Sequence, residues 1–236
     1  MRICVFPVAF MLLGFIASPF ANAERVTSVA QSIQKLPQDS RILAYVTGEE
    51  ATETLLKVGR EWDKDLGIVC EEEYGIKVHP AGIFVLATID LPEDKKYPTD
   101  GVWQYRYELT RCGSRQLYNV IVAAGKNAPP QYGRLIPGRT LASPTLLRDT
   151  VGPVNMKVTL ETKVKENKEC KDFAVKDTNV TVMPQVSQTN GVMSVGRYEE
   201  TWVVRYCGKD ISIPICFSPK PDGGTSMLTQ LCKEVK

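Results

Sequence analysis

The sequence predicts an α+β protein built from two tandem copies of one disulfide-stabilised module, each a mainly antiparallel β-sheet with a short helix. Three observations predict it. Residues 101–122 read GVWQYRYELTRCGSRQLYNVIV and residues 196–217 read GRYEETWVVRYCGKDISIPICF, so glycine, a β-rich run, Cys-Gly, a polar turn and a second β-rich run occur twice. Upstream anchors recur in the same order: Arg41 with Arg139, Lys57-Val58 with Lys157-Val158, Cys70 with Cys170, and Val78 with Val182, at offsets of 98, 100, 100 and 104 residues. Within each copy apolar and polar residues alternate with a period of two, which is the signature of a strand with one buried face.

The chain opens on Met1-Arg2, an apolar stretch and Ala21-Asn22-Ala23 before charged Glu24. This order of basic start, apolar run and A-x-A site predicts a signal peptide over 1–23, cleaved after Ala23, and an exported, periplasmic or secreted, chain. No later apolar run has the roughly 18 residues that crossing a bilayer needs, so no membrane span is expected after cleavage. An amphipathic helical segment is expected over 24–38, followed by module 1 over 39–137 and module 2 over 138–236.

Removal of the leader removes Cys4 and leaves Cys70, Cys112, Cys170, Cys207, Cys216 and Cys232. In an oxidising compartment these read as three disulfides. Equivalent cysteines of two copies should pair equivalently, giving Cys70–Cys112 and Cys170–Cys207, and Cys216–Cys232 by remainder. A local Cys207–Cys216 bridge is the rival.

In module 1, Thr47 and Glu50 have capping-box spacing and predict a helix through Leu55 and Leu56, with Val58 to Trp62 either its continuation or a strand. Ile76–Val78 and Val180–Val182 are short strands expected to end at a proline. Val102–Arg111 and Leu117–Ala124 should form a hairpin turning at Gly113 to Arg115. Tyr198–Tyr206 and Ile211–Phe217 should do the same, turning at Gly208 to Asp210. Ser143 before Pro144 predicts an N-cap and a short helix to about Thr150. Alternation at Met156, Val158, Leu160, Thr162 and Val164 predicts a strand, and residues 126–139, with three prolines and two glycines, predict a linker.

The near balance of 29 Lys plus Arg against 27 Asp plus Glu offers no basic face for nucleic acid. His79 is the only histidine, so multi-histidine metal sites are excluded and a His-dependent triad has one candidate. Nucleotide-loop, serine-elbow and zinc-helix motifs are absent. Ser32 and Lys35 have S-x-x-K spacing without its usual companions. Acidic residues at Glu71, Glu72 and Glu73 and from Asp90 to Asp100 read as solvated rather than as a calcium or glycosidase site. Asp222 to Ser226 is a glycine turn and Asn179-Val180-Thr181 a glycosylation sequon.

The expectation is therefore a non-catalytic exported interaction protein, without cofactor or metal, that binds other envelope proteins, as a subunit of an envelope or secretion assembly. The alternatives are a soluble glycan- or peptide-binding protein and an exported hydrolase using acidic residues. The binding residues proposed from sequence are the aromatic ladders Trp103, Tyr105 and Tyr107 and Tyr198, Trp202 and Tyr206, whose rings form stacking surfaces if exposed and core if not.

Overall fold

The computed structural model describes residues 40–126, 128–166, 170–189, 192–220 and 223–232. The leader, the segment 24–38 and the Ser32/Lys35 pair lie outside the described residues.

Helices α1 (Ser40–Thr47) and α2 (Glu49–Asp65) precede a four-stranded sheet of β1 (Gly75–Asp90), β2 (Asp100–Arg111), β3 (Ser114–Gly125) and β4 (Ala128–Arg134) in the order β1-β2-β3-β4. Helix α3 (Pro144–Glu166) precedes a second sheet of β5 (Ala174–Val182), β8 (Tyr198–Tyr206), β9 (Lys209–Pro219) and β10 (Thr225–Leu228) in the order β10-β9-β8-β5. A separate ribbon of β6 (Val186–Thr189) and β7 (Val192–Val195) interrupts the second sheet's chain path. Every ladder is antiparallel, and without the ribbon both sheets are four-stranded meanders preceded by helix.

Disulfides join Cys70 to Cys112, Cys170 to Cys207 and Cys216 to Cys232. Cys112 and Cys207 both have positive φ, 43° and 53°, and each is followed by a positive-φ glycine. Both hairpins therefore turn in two residues, with Arg111 opposite Ser114 and Tyr206 opposite Lys209. Two successive left-handed residues match the strand twist. The turn lies on Cys-Gly itself, so β3 and β9 begin earlier than the polar residues after Cys-Gly suggest.

Each hairpin buries its ladder beneath helix. In the first half Trp103, Tyr105, Tyr107 and Leu109 share one buried face with Leu55, Trp62 and Val120. Tyr105 and Tyr107 donate their hydroxyls to the Val46 and Leu55 carbonyls at 2.9 and 3.0 Å, so the rings stay in the core while the polar tips are satisfied. Helix α2 approaches closely because Gly59 faces Leu109, whose side chain occupies the place of a Cβ. In the second half Trp202, Val204, Tyr206, Ile213, Ile215 and Phe217 form the corresponding core against Leu147, Val154 and Val158 of α3.

Four sequence expectations are corrected. Met156 to Val164 is helix, not strand. In α3, Thr150, Val154, Val158 and Thr162 recur every four residues on the buried face, while Met156, Leu160 and Val164 recur every four residues on the exposed face. Two interleaved stripes imitate a period of two. Pro153 lies inside this helix without ending it. The helix expected from the Thr47 and Glu50 spacing is α2, which runs through Val58 and Trp62 to Asp65 but takes Gly48, not Thr47, as its N-cap; a Cβ at Gly48 would meet the Ala44 carbonyl at 2.7 Å. Thr47 instead bonds back to the Leu43 carbonyl at 2.7 Å. Strand β1 does not stop at Pro80: pairing is interrupted between Val78 and Ile83, a bulge that accommodates the missing proline N–H, and then resumes to Asp90.

The expected linker holds β4 and then a strap that bonds both sheets. Leu135 and Gly138 donate to the Asn119 and Leu117 carbonyls of β3 at 3.0 and 2.8 Å, and Arg139 donates to the Thr178 carbonyl of β5 at 2.7 Å. Thr178 returns its hydroxyl to Pro137, and the Asn119 amide spans Ile136 and Gly138. Gly138 has φ 98° and packs against Asp177 and the Thr178 backbone, where a side chain would overlap.

Candidate functional site

The sequence-proposed aromatic ladders are not surfaces. Trp103, Tyr105 and Trp202 are 0 % exposed, Tyr107 and Tyr206 1 %, and Tyr198 5 %. Burying six large rings is the main apolar gain available to these sheets, so the rings are the cores and present no face to a ligand. Tyr206 accepts the Cys170 N–H at 3.1 Å, and Tyr198 stacks on Phe217 at 4.9 Å.

Two buried polar clusters also belong to the framework. Asp63, with its carboxylate fully buried, pairs with Arg111 and accepts the hydroxyl of Tyr118, and Arg111 donates to that hydroxyl at 3.2 Å. Glu200 is fully buried and accepts the Thr140 hydroxyl at 2.8 Å, the Leu141 N–H at 2.8 Å and the Trp202 indole N–H at 2.9 Å. Burial pushes its carboxyl up, against the downward pull of those donors. Thr140 also accepts Arg106 of β2 on its carbonyl at 2.7 Å. The cluster thus joins the halves, with Glu200 and Thr140 buried within it.

A cleft of about 320 Å³ opens between α1, the start of α2, the β1–β2 loop and β4. Its walls exist for local reasons. The break at Gly48 separates α1 from α2, and the first turn of α2, which Gly48 cannot cap with a side chain, carries Glu49 and Glu50 at the favourable end of the helix dipole. Arg41 holds the β1–β2 loop on α1 by donating to the Leu91 and Lys95 carbonyls at 3.1 and 2.8 Å. That loop places Tyr97 at the cleft mouth, its hydroxyl donating to Glu50 at 3.2 Å. Edge strand β4 brings Pro129, Pro130 and Tyr132, and α1 brings Tyr45.

The site is therefore three phenols and two prolines around a carboxylate. Burial raises Tyr132 to about 12, with Glu50 adding to the rise. Burial likewise raises Tyr45, helped by Tyr132, Glu50 and Tyr97. Tyr45 and Tyr132 thus remain neutral at physiological pH, and Glu49, Glu50 and the exposed Lys96 bring formal charge to the mouth. Lys96 lies 4.9 Å from the Tyr97 ring centre and 3.3 Å from a Glu50 oxygen.

A shallower cleft beside the first disulfide is lined by Arg60, Lys64, Cys70, Glu71, Glu72 and Tyr74, with Arg60 5.0 Å from the Tyr74 ring centre. Glu72 and Asp172 each stand near the sulfurs of a disulfide, and Asp172 accepts the Cys207 and Gly208 N–H groups at 2.9 and 2.8 Å, a turn-capping role. His79 is exposed and accepts the Ala81 N–H at 3.2 Å, fixing the β1 bulge. Asp90 accepts Thr99 at 2.8 Å across the acidic loop. In the glycine turn, the Gly223 N–H is taken by Lys220 and the Ser226 hydroxyl by Ser218. Asn179 is exposed on β5.

Sequence reasoning missed Tyr45, Glu50, Tyr97 and Tyr132 as one group. The available signals were an aromatic inside the acidic segment and the Pro-Pro-Gln-Tyr string inside the presumed linker. Comparison with family models, with curated proteins and with solved structures finds no match.

Proposed function

We propose that this chain is an exported, non-catalytic binding protein that recognises another envelope protein through the cleft between α1, α2 and β4. The observation that supports it most is the cleft itself, an opening walled by rigid aromatic and proline side chains around a carboxylate. Such rings supply contact area at low entropic cost, and a few placed polar groups fix orientation. The export part of the reading rests on the A-x-A leader and the three disulfides. Among the described residues no helix is long and apolar enough to cross a membrane. The shared strand order, the equivalent Cys-Gly turns and the equivalent bridges support descent of the two halves from one duplicated module.

The test places a photo-crosslinking residue at exposed Ala44 on the cleft rim, with a control at exposed Val164 on α3, in the native envelope. The reading expects a defined protein adduct at Ala44 that is lost in Tyr132→Ala and absent from the control. Equal adducts at both positions, or an Ala44 adduct that survives Tyr132→Ala, refute it. A soluble glycan ligand instead leaves the Ala44 probe without protein adducts and protects the cleft tyrosines when glycan is added.

A further inference from the structure

We propose that the cleft receives a single lysine or arginine side chain of the partner polypeptide, and that Lys96 is the chain's own stand-in for it. The inference rests on the cleft being the recognition site. A cation is stabilised by an aromatic face and by a carboxylate, and the cleft mouth offers both on one side of one cavity. Lys96 demonstrates the fit, since its ammonium contacts the Tyr97 ring and Glu50 together. Yet Lys96 reaches the pair from outside. Its side chain is 67 % exposed, so it sits at the mouth and leaves the volume between Tyr45, Tyr132 and the prolines unfilled.

The wall chemistry selects the source of the cation. Strand β4 is one of the two edge strands of the first sheet and lines the cleft, but Pro129 and Pro130 carry no N–H. A passing chain cannot zip onto that stretch as a fifth strand. It is held by side-chain insertion, and the cleft has room for a long side chain, its stem against the prolines and phenols and its charged end at Glu50. Binding then proceeds by exchange: the incoming cation takes the Tyr97 and Glu50 contacts and Lys96 is released to water.

The experiment follows ring-proton NMR shifts of Tyr45, Tyr97 and Tyr132 in the oxidised chain during titration with a blocked Gly-Gly-Lys-Gly-Gly peptide, its Arg and Glu counterparts, and butylammonium. The Lys and Arg peptides should shift all three rings saturably while the Glu peptide does not. Lys96→Ala should tighten peptide binding about threefold and Glu50→Gln should weaken it about fivefold, as removal of one exposed competitor and one charge partner implies. Both substitutions are at exposed positions and leave the core intact. Absence of ring shifts with the cationic peptides, or indifference to both substitutions, overturns the proposal. Butylammonium binding as tightly as the peptide overturns the polypeptide source. If an Ala44 crosslink to the partner persists unchanged in Glu50→Gln and Lys96→Ala but is lost in Tyr132→Ala, the cleft is the recognition site and the cation inference alone fails.

Discussion

Gly138→Ala should be among the most damaging single-methyl additions to this chain. At φ 98° an L-residue is strained, at a cost of about 1–3 kcal/mol. The added methyl also overlaps the Asp177 carboxylate and the backbone N and O of Thr178, and the Thr178 backbone, held in β5, has no side-chain rotation by which to move aside. Relief requires the strap to lift from β5, which endangers the Arg139-to-Thr178 and Thr178-to-Pro137 hydrogen bonds of 2.7 and 2.8 Å. Each such bond contributes roughly 0.5–1.5 kcal/mol net, so the total loss should be about 2–6 kcal/mol, a large share of an ordinary domain's stability. The internal control is Gly113→Ala, where φ is 68° but nothing lies within 4 Å of the added carbon. That variant carries the backbone strain without the overlap and should lose only about 1 kcal/mol. Urea unfolding of the oxidised chain, followed by tryptophan fluorescence, measures both. If Gly138→Ala costs no more than Gly113→Ala, the strap is not the close joint between the sheets that its hydrogen bonds describe.

Glu200→Gln should destabilise by about 1–3 kcal/mol, because the new amide N–H₂ meets groups that already donate, the Leu141 N–H, the Trp202 N–H and the Thr140 hydroxyl. Burial raises the Glu200 pKa in the folded chain, so folding binds a proton more tightly there and stability at this group rises as pH falls toward the ordinary carboxylate range. Melting temperatures of wild type and variant should therefore diverge as pH is lowered, and parallel curves would contradict the assignment. At the alkaline end, burial raises Tyr45, Tyr105, Tyr107, Tyr118, Tyr132 and Tyr198. Their stabilisation is intact below the free phenol value near about 10 and is lost as pH climbs beyond it, so tyrosinate absorbance should rise together with unfolding rather than ahead of it. Replacing Cys216 and Cys232 by alanine opens a link of sequence separation 16 and should cost about 3 kcal/mol on the chain-entropy account, against about 4 for the separation of 42 between Cys70 and Cys112, as read by calorimetry.

The parts of the fold that were legible in the sequence are those where one physical signal dominates. The β8 alternation from Tyr198 to Tyr206 has one face on the core, and its burial follows the period of two residue by residue. The cysteine pairings follow from two similar hairpins, each placing a cysteine at the first turn position. Ser143 is an N-cap with its hydroxyl accepting the Leu146 N–H at 3.2 Å, the short-range chemistry that Ser-Pro announces. Where two signals overlap, the reading fails. Helix α3 carries apolar residues on both faces, so its periodicity misleads. The strap looks like a linker in the sequence because its bonds are made to partners far along the chain, Leu117, Asn119 and Thr178. The cleft escaped for the same reason: Tyr45, Glu50, Tyr97 and Tyr132 come from four segments and share no spacing.

The comparison between halves explains why an open cleft lies on one side and a sealed joint on the other. Counting from Gly101 and Gly196, Tyr105 and Glu200 hold the same place in their ladders. In the first half that place holds a neutral ring whose hydroxyl reaches a helix carbonyl of the same half. In the second half it holds a carboxylate, which must find donors or cost several kcal/mol. Thr140 and Leu141, at the end of the strap, supply two of them, and Trp202 the third. The chain leaving the first sheet is thereby drawn onto the second, and its path is spent as structure. No such demand falls on the segment after β1. The loop carrying Lys96 and Tyr97 is pinned by Arg41 at its base and leaves its aromatic ring and cation at the surface. A buried carboxylate in the second ladder thus commits the strap to the framework, whereas the buried carboxylate of the first half, Asp63, is met by Arg111 and Tyr118 of its own half and draws in no strap from the other.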